Sequence, residues 1–372
     1  MKYYLIAGEP SGDLHGANLI QELRKQDTQA QIRAWGGDLM EQAGATLAKH
    51  YRDLAFMGVW EVIKNLGAIR QNFKFCHQDI TAFKPDVLIF IDYSGFNLRV
   101  AKWTKEQGYR NVYYISPQVW ATRAKRVHKI KECIDQMLVI LPFEEAFYQK
   151  YDYAVQYVGH PLLDIIQNRE KVTDFRSKNK LDERPIVALL PGSRKQEISS
   201  MLPVMLAAAN GLDKYQFVIA VAPAQSLGFY ATFLGDNTNI RLLEDQTYDL
   251  LQHSRVALVT SGTATLETAL FGVPQVVCYR AGQLMYQIVK RIIQVDYIAI
   301  VNLIMNKEIV KELIQNDLTE KQLKDNLVLL LEDEATRNNT LKNYEMLYQK
   351  LGTAGAARQA ATQILEGLGE QA

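Results

Sequence analysis

Residues 185–195 read Pro185-Ile186-Val187-Ala188-Leu189-Leu190-Pro191-Gly192-Ser193-Arg194-Lys195. A short, unbroken aliphatic run meets a proline–glycine turn and then polar residues that suit the start of a helix. A strand can be apolar at every position only when both faces of its sheet are covered, which is the condition of a parallel sheet. The glycine turn then falls at the strand's carboxyl end, where open α/β sheets bind their ligands. Because parallel neighbours need long crossovers, the same run predicts helices packed over the sheet.

The pattern repeats outward in both directions. Gln216–Val221, Val256–Thr260 and Gln275–Cys278 follow it, and Tyr3–Ala7, Val87–Ile91, Val112–Ile115 and Met137–Leu141 precede it. Amphipathic, charge-bearing stretches separate these runs. The alternation predicts a doubly wound α/β architecture, and its recurrence predicts two Rossmann-like domains facing a cleft. Val158-Gly159-His160-Pro161 ends the first series, and the polar segment Asn168–Arg184 reads as a linker carrying a helix. The expected division is a domain over residues 1–165, a second over 166–345, and a C-terminal helix within 346–372 that packs back on the first. Asp333–Leu368 is helical by composition and period.

Composition narrows the functional classes. A chain of 372 residues with 48% hydrophobic and 22% charged residues can bury two cores and is not disordered. A net charge of +1 supplies no global field for nucleic acid. Cys76, Cys133 and Cys278 lie far apart in sequence, form no zinc-ligand spacing and read as reduced thiols of a cytosolic protein. The apolar start, Tyr3–Ala7, meets Glu9 too soon for a secretion signal, and no stretch has the length of a membrane span.

Four strand-to-helix loops carry the chemistry. Gly8-Glu9-Pro10-Ser11-Gly12-Asp13-Leu14-His15-Gly16 misses the dinucleotide spacing. Its glycines admit a close ligand, Ser11 or Asp13 suits a helix cap, and Glu9, Ser11, Asp13 and His15 concentrate polar groups at one turn. Asp92 follows Val87–Ile91, so its carboxylate sits at a strand end, with Asn97 one turn on. Gly192, Ser193 and Arg194 form a glycine turn with a guanidinium, which suits a diphosphate. Ser261-Gly262-Thr263-Ala264-Thr265-Leu266-Glu267 opens a helix with three hydroxyls. Capping explains one of them; phosphate oxygens and ribose hydroxyls explain the hydroxyls and Glu267 together.

Six motifs in order, Gly8–Asp13, Ser116-Pro117-Gln118-Val119-Trp120, Leu141-Pro142-Phe143-Glu144, Val158–Leu162, Leu189–Arg194 and Ser261–Glu267, make the chain resemble the lipid-A-disaccharide synthases across nearly its whole length. The resemblance implies a GT-B glycosyltransferase. It would transfer 2,3-diacylglucosamine from its UDP derivative to 2,3-diacylglucosamine 1-phosphate, with inversion, giving the β-1′,6 disaccharide at the cytoplasmic face of the inner membrane. The nearest rivals are another GT-B enzyme that uses a UDP-N-acetylglucosamine-type donor, a UDP-sugar epimerase, and a non-catalytic sugar-binding protein. No cofactor is implied, and no Asp-X-Asp motif occurs, so a metal-independent reaction is expected. Gly95 stands where many members carry an acid, which leaves Asp92 as the expected base, with Glu9, Asp13 and His15 in reserve. Ser11, Gly12, His15, Asn97 and Gln118 fall on the acceptor side. Gly192, Ser193, Arg194, Ser261, Gly262, Thr263, Thr265 and Glu267 fall on the UDP side, and Asn302 matches a family asparagine there. The apolar stretch Phe56–Ile63 and the cations Arg123, Lys125, Arg126, Lys129 and Lys131, with His128, suit a membrane surface.

Overall fold

The structure, a computed structural model, describes residues 1–54, 66–122, 124–167, 169–235, 240–282 and 295–369. The stretch 56–63 and Arg123, read above as membrane contacts, lie outside the described residues. The chain forms two compact units, Met1–Asp164 with Thr353–Ala372, and Ile165–Gly352.

In the first unit the strands are β1 (Lys2–Ala7), β2 (Gln31–Gly36), β3 (Thr46–His50), β4 (Val87–Ile91), β5 (Asn111–Tyr114), β6 (Gln136–Val139) and β7 (Gln156–Tyr157). They pair in the order β3-β2-β1-β4-β5-β6-β7, all parallel. β1 shows why its sequence has no polar face. Tyr3, Leu5 and Ala7 enter the core on one side, and Tyr4 and Ile6 enter the core on the other. The helix Ala356–Gly369 brings Ala360, Ala361 and Ile364 into the first of these cores beside Ala17 and Ile20.

The second unit contains β8 (Ile186–Leu190), β9 (Gln216–Val221), β10 (Ile240–Glu244), β11 (Ser254–Thr260), β12 (Gln275–Tyr279) and β13 (Lys311–Ile314). Their order is β10-β9-β8-β11-β12-β13, again all parallel. Val187 and Leu189 of the decisive run face one core, and Ile186, Ala188 and Leu190 face the other. In both sheets the chain order reverses between two central strands, β1 and β4 or β8 and β11. Such a switch point opens a crevice at the carboxyl edge.

β2, β3, β7, β10 and β13 were not among the aliphatic runs. Four of them are edge strands and β2 adjoins an edge, so their mixed sequences reflect partial exposure. Of the stretch Asn168–Arg184 read as a linker, the described residues 169–184 are not one. Phe175 is 1% exposed and stacks on His253, and Arg169 pairs with Asp249 at 2.7 Å, so the segment is built into the second unit. The helix Glu334–Leu351 belongs to that unit as well, and the return to the first begins at Thr353.

Candidate functional site: two switch-point crevices

In the second unit, the loops after β8, β9 and β11 and the start of the helix after β10 enclose a cavity of about 460 Å³. Gly192, Ser193, Arg194, Ser261, Gly262, Thr263 and Glu267 line it, so most of the residues read as a UDP site do meet in one place. Gly192 has φ +108°, and a Cβ there would lie 2.9 Å from Glu197, so glycine is required.

Four details differ from the expectation. The amides of Ser193 and Arg194 already donate to Glu197, each at 3.2 Å, which is the glutamate half of a capping box at the start of the helix Lys195–Ala209. The Arg194 side chain is 74% exposed and loosely paired with Glu197, 3.6 Å away at its nearest oxygen. Thr265 is fully buried and donates to Gly262 O at 2.8 Å, and Ser261 donates to Ile298 O at 3.0 Å. Neither hydroxyl is offered to a phosphate; Thr263, exposed on the first turn of the helix Thr263–Leu270, remains. Asn302 is not among the residues that line the cavity. It is fully buried, donates to Val310 O and Glu312, and accepts from the amides of Ile309 and Val310. Its amide is committed within the fold, where it pins β13 to the helix Ile300–Met305.

Thr260 was missed. As the last residue of a buried strand it reads as core, yet it lines the cavity, is 8% exposed, and its hydroxyl has no partner among the described residues. Glu267 also lines the cavity and accepts from Tyr248 Oη at 2.7 Å. Burial pushes its carboxyl above the ordinary range, and the Tyr248 hydrogen bond opposes that rise.

In the first unit the β1 and β4 loops meet. The helix after β1 starts at Pro10 with Glu9 at the N-cap position, and Glu9 makes no side-chain cap bond. Ser11 is exposed on its first turn and caps nothing there. Asp13 caps elsewhere: its carboxylate, 3% exposed, accepts from the amides of Gly37 (2.7 Å), Met40 (3.1 Å) and Leu39 (3.2 Å). Both of its oxygens accept, so Asp13 fixes the next loop. Gly8 admits the Tyr93 ring, since a Cβ would lie 2.3 Å from it, and Gly12 lets the helix approach Ala7.

Asp92 and Tyr93 both adopt left-handed backbone, with φ 45° and 47°. Strain of this kind gathers at functional turns. Asn97, fully buried, holds the turn by donating to Asp92 O at 2.8 Å and to Ile6 O and Ile91 O at 3.3 Å, so it positions Asp92 and does not face an acceptor. The Asp92 side chain is half-buried. Burial first, and the Glu9 charge second, raise its carboxyl above the ordinary range. Raised, partly exposed and coupled to a second carboxylate, it has the properties of a proton acceptor. Burial lowers His15 to about 4, and burial together with His15 lowers His160 to about 3, so both imidazoles are neutral at pH 7.

Gln118 is exposed on the loop after β5. Beneath that loop, Glu144 is 1% exposed and accepts from the Leu141 amide at 3.0 Å; burial pushes its carboxyl up to about 7. Of the basic residues, Lys125 and Lys129 are exposed, whereas Lys131 donates to Asp152 O at 2.7 Å. Among the described residues no helix is long and apolar enough to cross a membrane, and no group of three metal-ligating side chains occurs.

A lipid-A-disaccharide synthase from Geobacter sulfurreducens is 37% identical over 99% of this chain and 97% of its own length. The enzyme of that name from Syntrophus aciditrophicus is 38% identical over 97% and 96%. Among solved structures, a UDP-GlcNAc 2-epimerase from Neisseria meningitidis superposes with TM-score 0.67 at 14% identity, covering 100% of both chains. The calicheamicin glycosyltransferase CalG4 gives 0.61 at 16%, covering 100% of this chain and 99% of its own. At these identities the structures establish the fold, two Rossmann-like domains of the GT-B class. The family profile described as lipid-A-disaccharide synthetase matches residues 3–365, and with the sequence relatives it establishes that the chain belongs to the lipid-A-disaccharide synthase family.

Proposed function

We propose that the protein transfers 2,3-diacylglucosamine from UDP-2,3-diacylglucosamine to the 6-hydroxyl of 2,3-diacylglucosamine 1-phosphate, with inversion and release of UDP. The observation that carries the donor half is the cavity at the β8/β11 switch point, with Arg194, Thr263 and Glu267 on its wall. The diphosphate would lie against the Arg194 guanidinium and the first turn of Thr263–Leu270, where positive charge and free amides stabilise the leaving group. Glu267 would accept from the ribose hydroxyls.

Asp92 acts as the base. The acceptor hydroxyl loses its proton to this carboxylate as the C–O bond to the anomeric carbon forms and the bond to UDP breaks. Its raised affinity for protons suits that role, with Glu9 as the second charge. Ser11 and Gln118, both exposed at this edge, are the acceptor contacts. Lys125 and Lys129, exposed near the loop after β5, would meet anionic lipid and hold the enzyme on the cytoplasmic face of the inner membrane.

The decisive assay is UDP release from UDP-2,3-diacylglucosamine with and without the acceptor phosphate, in detergent and EDTA. Acceptor-dependent release that survives EDTA supports the reading. Binding of UDP without turnover would redirect it to another sugar or acceptor, and inhibition by EDTA that Mg²⁺ reverses would reinstate a metal.

A further inference from the structure

We infer that Tyr248 is the positioning residue that makes the donor site selective for a ribose diol, acting through Glu267. The inference rests on the donor reading above and goes beyond it by assigning specificity to a residue outside the cavity wall.

Two stretches from elsewhere in the unit converge on this phenol. Its hydroxyl donates to Glu267 Oε1 at 2.7 Å. The Arg169 guanidinium lies over its ring, 5.5 Å from the centroid, and is itself held by Asp249 at 2.7 Å. The Phe271 ring packs beside it at 5.3 Å. Tyr248 and Asp249 belong to the first turn of the helix Thr247–His253, Arg169 precedes β8, and Phe271 ends the helix that carries Glu267. The ring is thus clamped before any ligand arrives. Thr247 and Glu267 line the cavity, and Tyr248 stands behind them.

The consequence is specific to Glu267. A glutamate side chain ordinarily loses considerable rotamer freedom when it binds a ligand, and anchoring one of its oxygens removes that cost in advance. A carboxylate has about four lone-pair positions, and the phenol uses one. Those left over accept from vicinal hydroxyls, and the phenol's hydrogen bond favours the ionised, acceptor-only form of the half-buried carboxyl, opposing the pull of burial. A ligand without the diol gains nothing from the arrangement.

The test compares UDP with its 2′,3′-dideoxy analogue by calorimetry on the full-length wild type, Tyr248→Phe and Glu267→Gln, with melting temperatures as a check on folding. The wild type is expected to prefer UDP by about tenfold or more, consistent with hydrogen bonds to a charged group. Tyr248→Phe is expected to weaken UDP about tenfold and leave the analogue within a factor of two, and in turnover to raise donor KM with kcat nearly unchanged. Glu267→Gln should abolish the preference through the acceptor itself. An equal loss for both ligands in Tyr248→Phe, or no loss for either, overturns the role of Tyr248 while leaving the donor site intact. A wild type that binds both ligands alike overturns the ribose role of Glu267 and this inference with it.

Discussion

At the scale of single residues, the first crevice turns on two carboxylates. Asp92→Asn keeps the shape of the strained turn and removes the proton acceptor. Its kcat should fall about 10²- to 10⁴-fold while UDP binding is retained, and near-normal turnover would reassign the base. Because the Glu9 charge contributes to raising Asp92, Glu9→Gln removes a like charge and lowers the Asp92 affinity for protons. The acidic limb of the kcat profile should then move to lower pH; a pH–rate profile of the variant checks this, and a shift upward contradicts the coupling. Thr260 makes the converse case. Replacing its unpartnered hydroxyl by a methyl in Thr260→Val should stabilise the free protein by about 1 kcal/mol yet weaken UDP by roughly fivefold. Denaturant titration and calorimetry on the same sample read the two effects.

Elements matter because several residues that look like ligand contacts are fasteners between elements. Asp13 ties the helix after β1 to the loop after β2, Asn97 ties the ends of β1 and β4, and Asn302 ties β13 to the helix Ile300–Met305. In each case a polar side chain satisfies backbone groups that burial would otherwise leave unpaired. Sequence cannot separate this use from ligand binding, because both place Asp or Asn at the carboxyl edge. Asn302→Ala therefore belongs to stability: it should cost about 2–4 kcal/mol in denaturant unfolding, since it orphans several buried partners at once. A variant of unchanged stability with weakened UDP binding would return Asn302 to the ligand.

For the whole molecule, Glu144 links folding to pH. Its carboxyl, raised to about 7 in the folded chain, prefers the proton more than it does when unfolded. That contribution to stability is fully present below about pH 4.5 and is lost as pH rises through about 7. Glu144→Gln should be more stable than the wild type at pH 8, by about 3 kcal/mol from the size of the shift, and the advantage should vanish near pH 4. A constant difference across that range would show that Glu144 is not the titrating group. The sequence by itself determined the parallel, doubly wound class, the recurrence of the unit, and the loops at the carboxyl edges of the central strands. Those follow from chain-local facts: strands covered on both faces must be apolar throughout, and glycine turns must follow them. The edge strands escaped because half-exposed strands carry mixed residues. Only the tertiary structure decided which polar groups at those turns are free. Asp92, Glu9, Arg194, Thr263 and Glu267 keep a usable atom, whereas Asp13 and the Asn97 amide group bind backbone groups brought in from distant parts of the chain, and Thr265 and Asn302 bind backbone groups within ten residues of themselves. For Asp13 and Asn97 the partners lie far away in sequence, and packing alone brings them together.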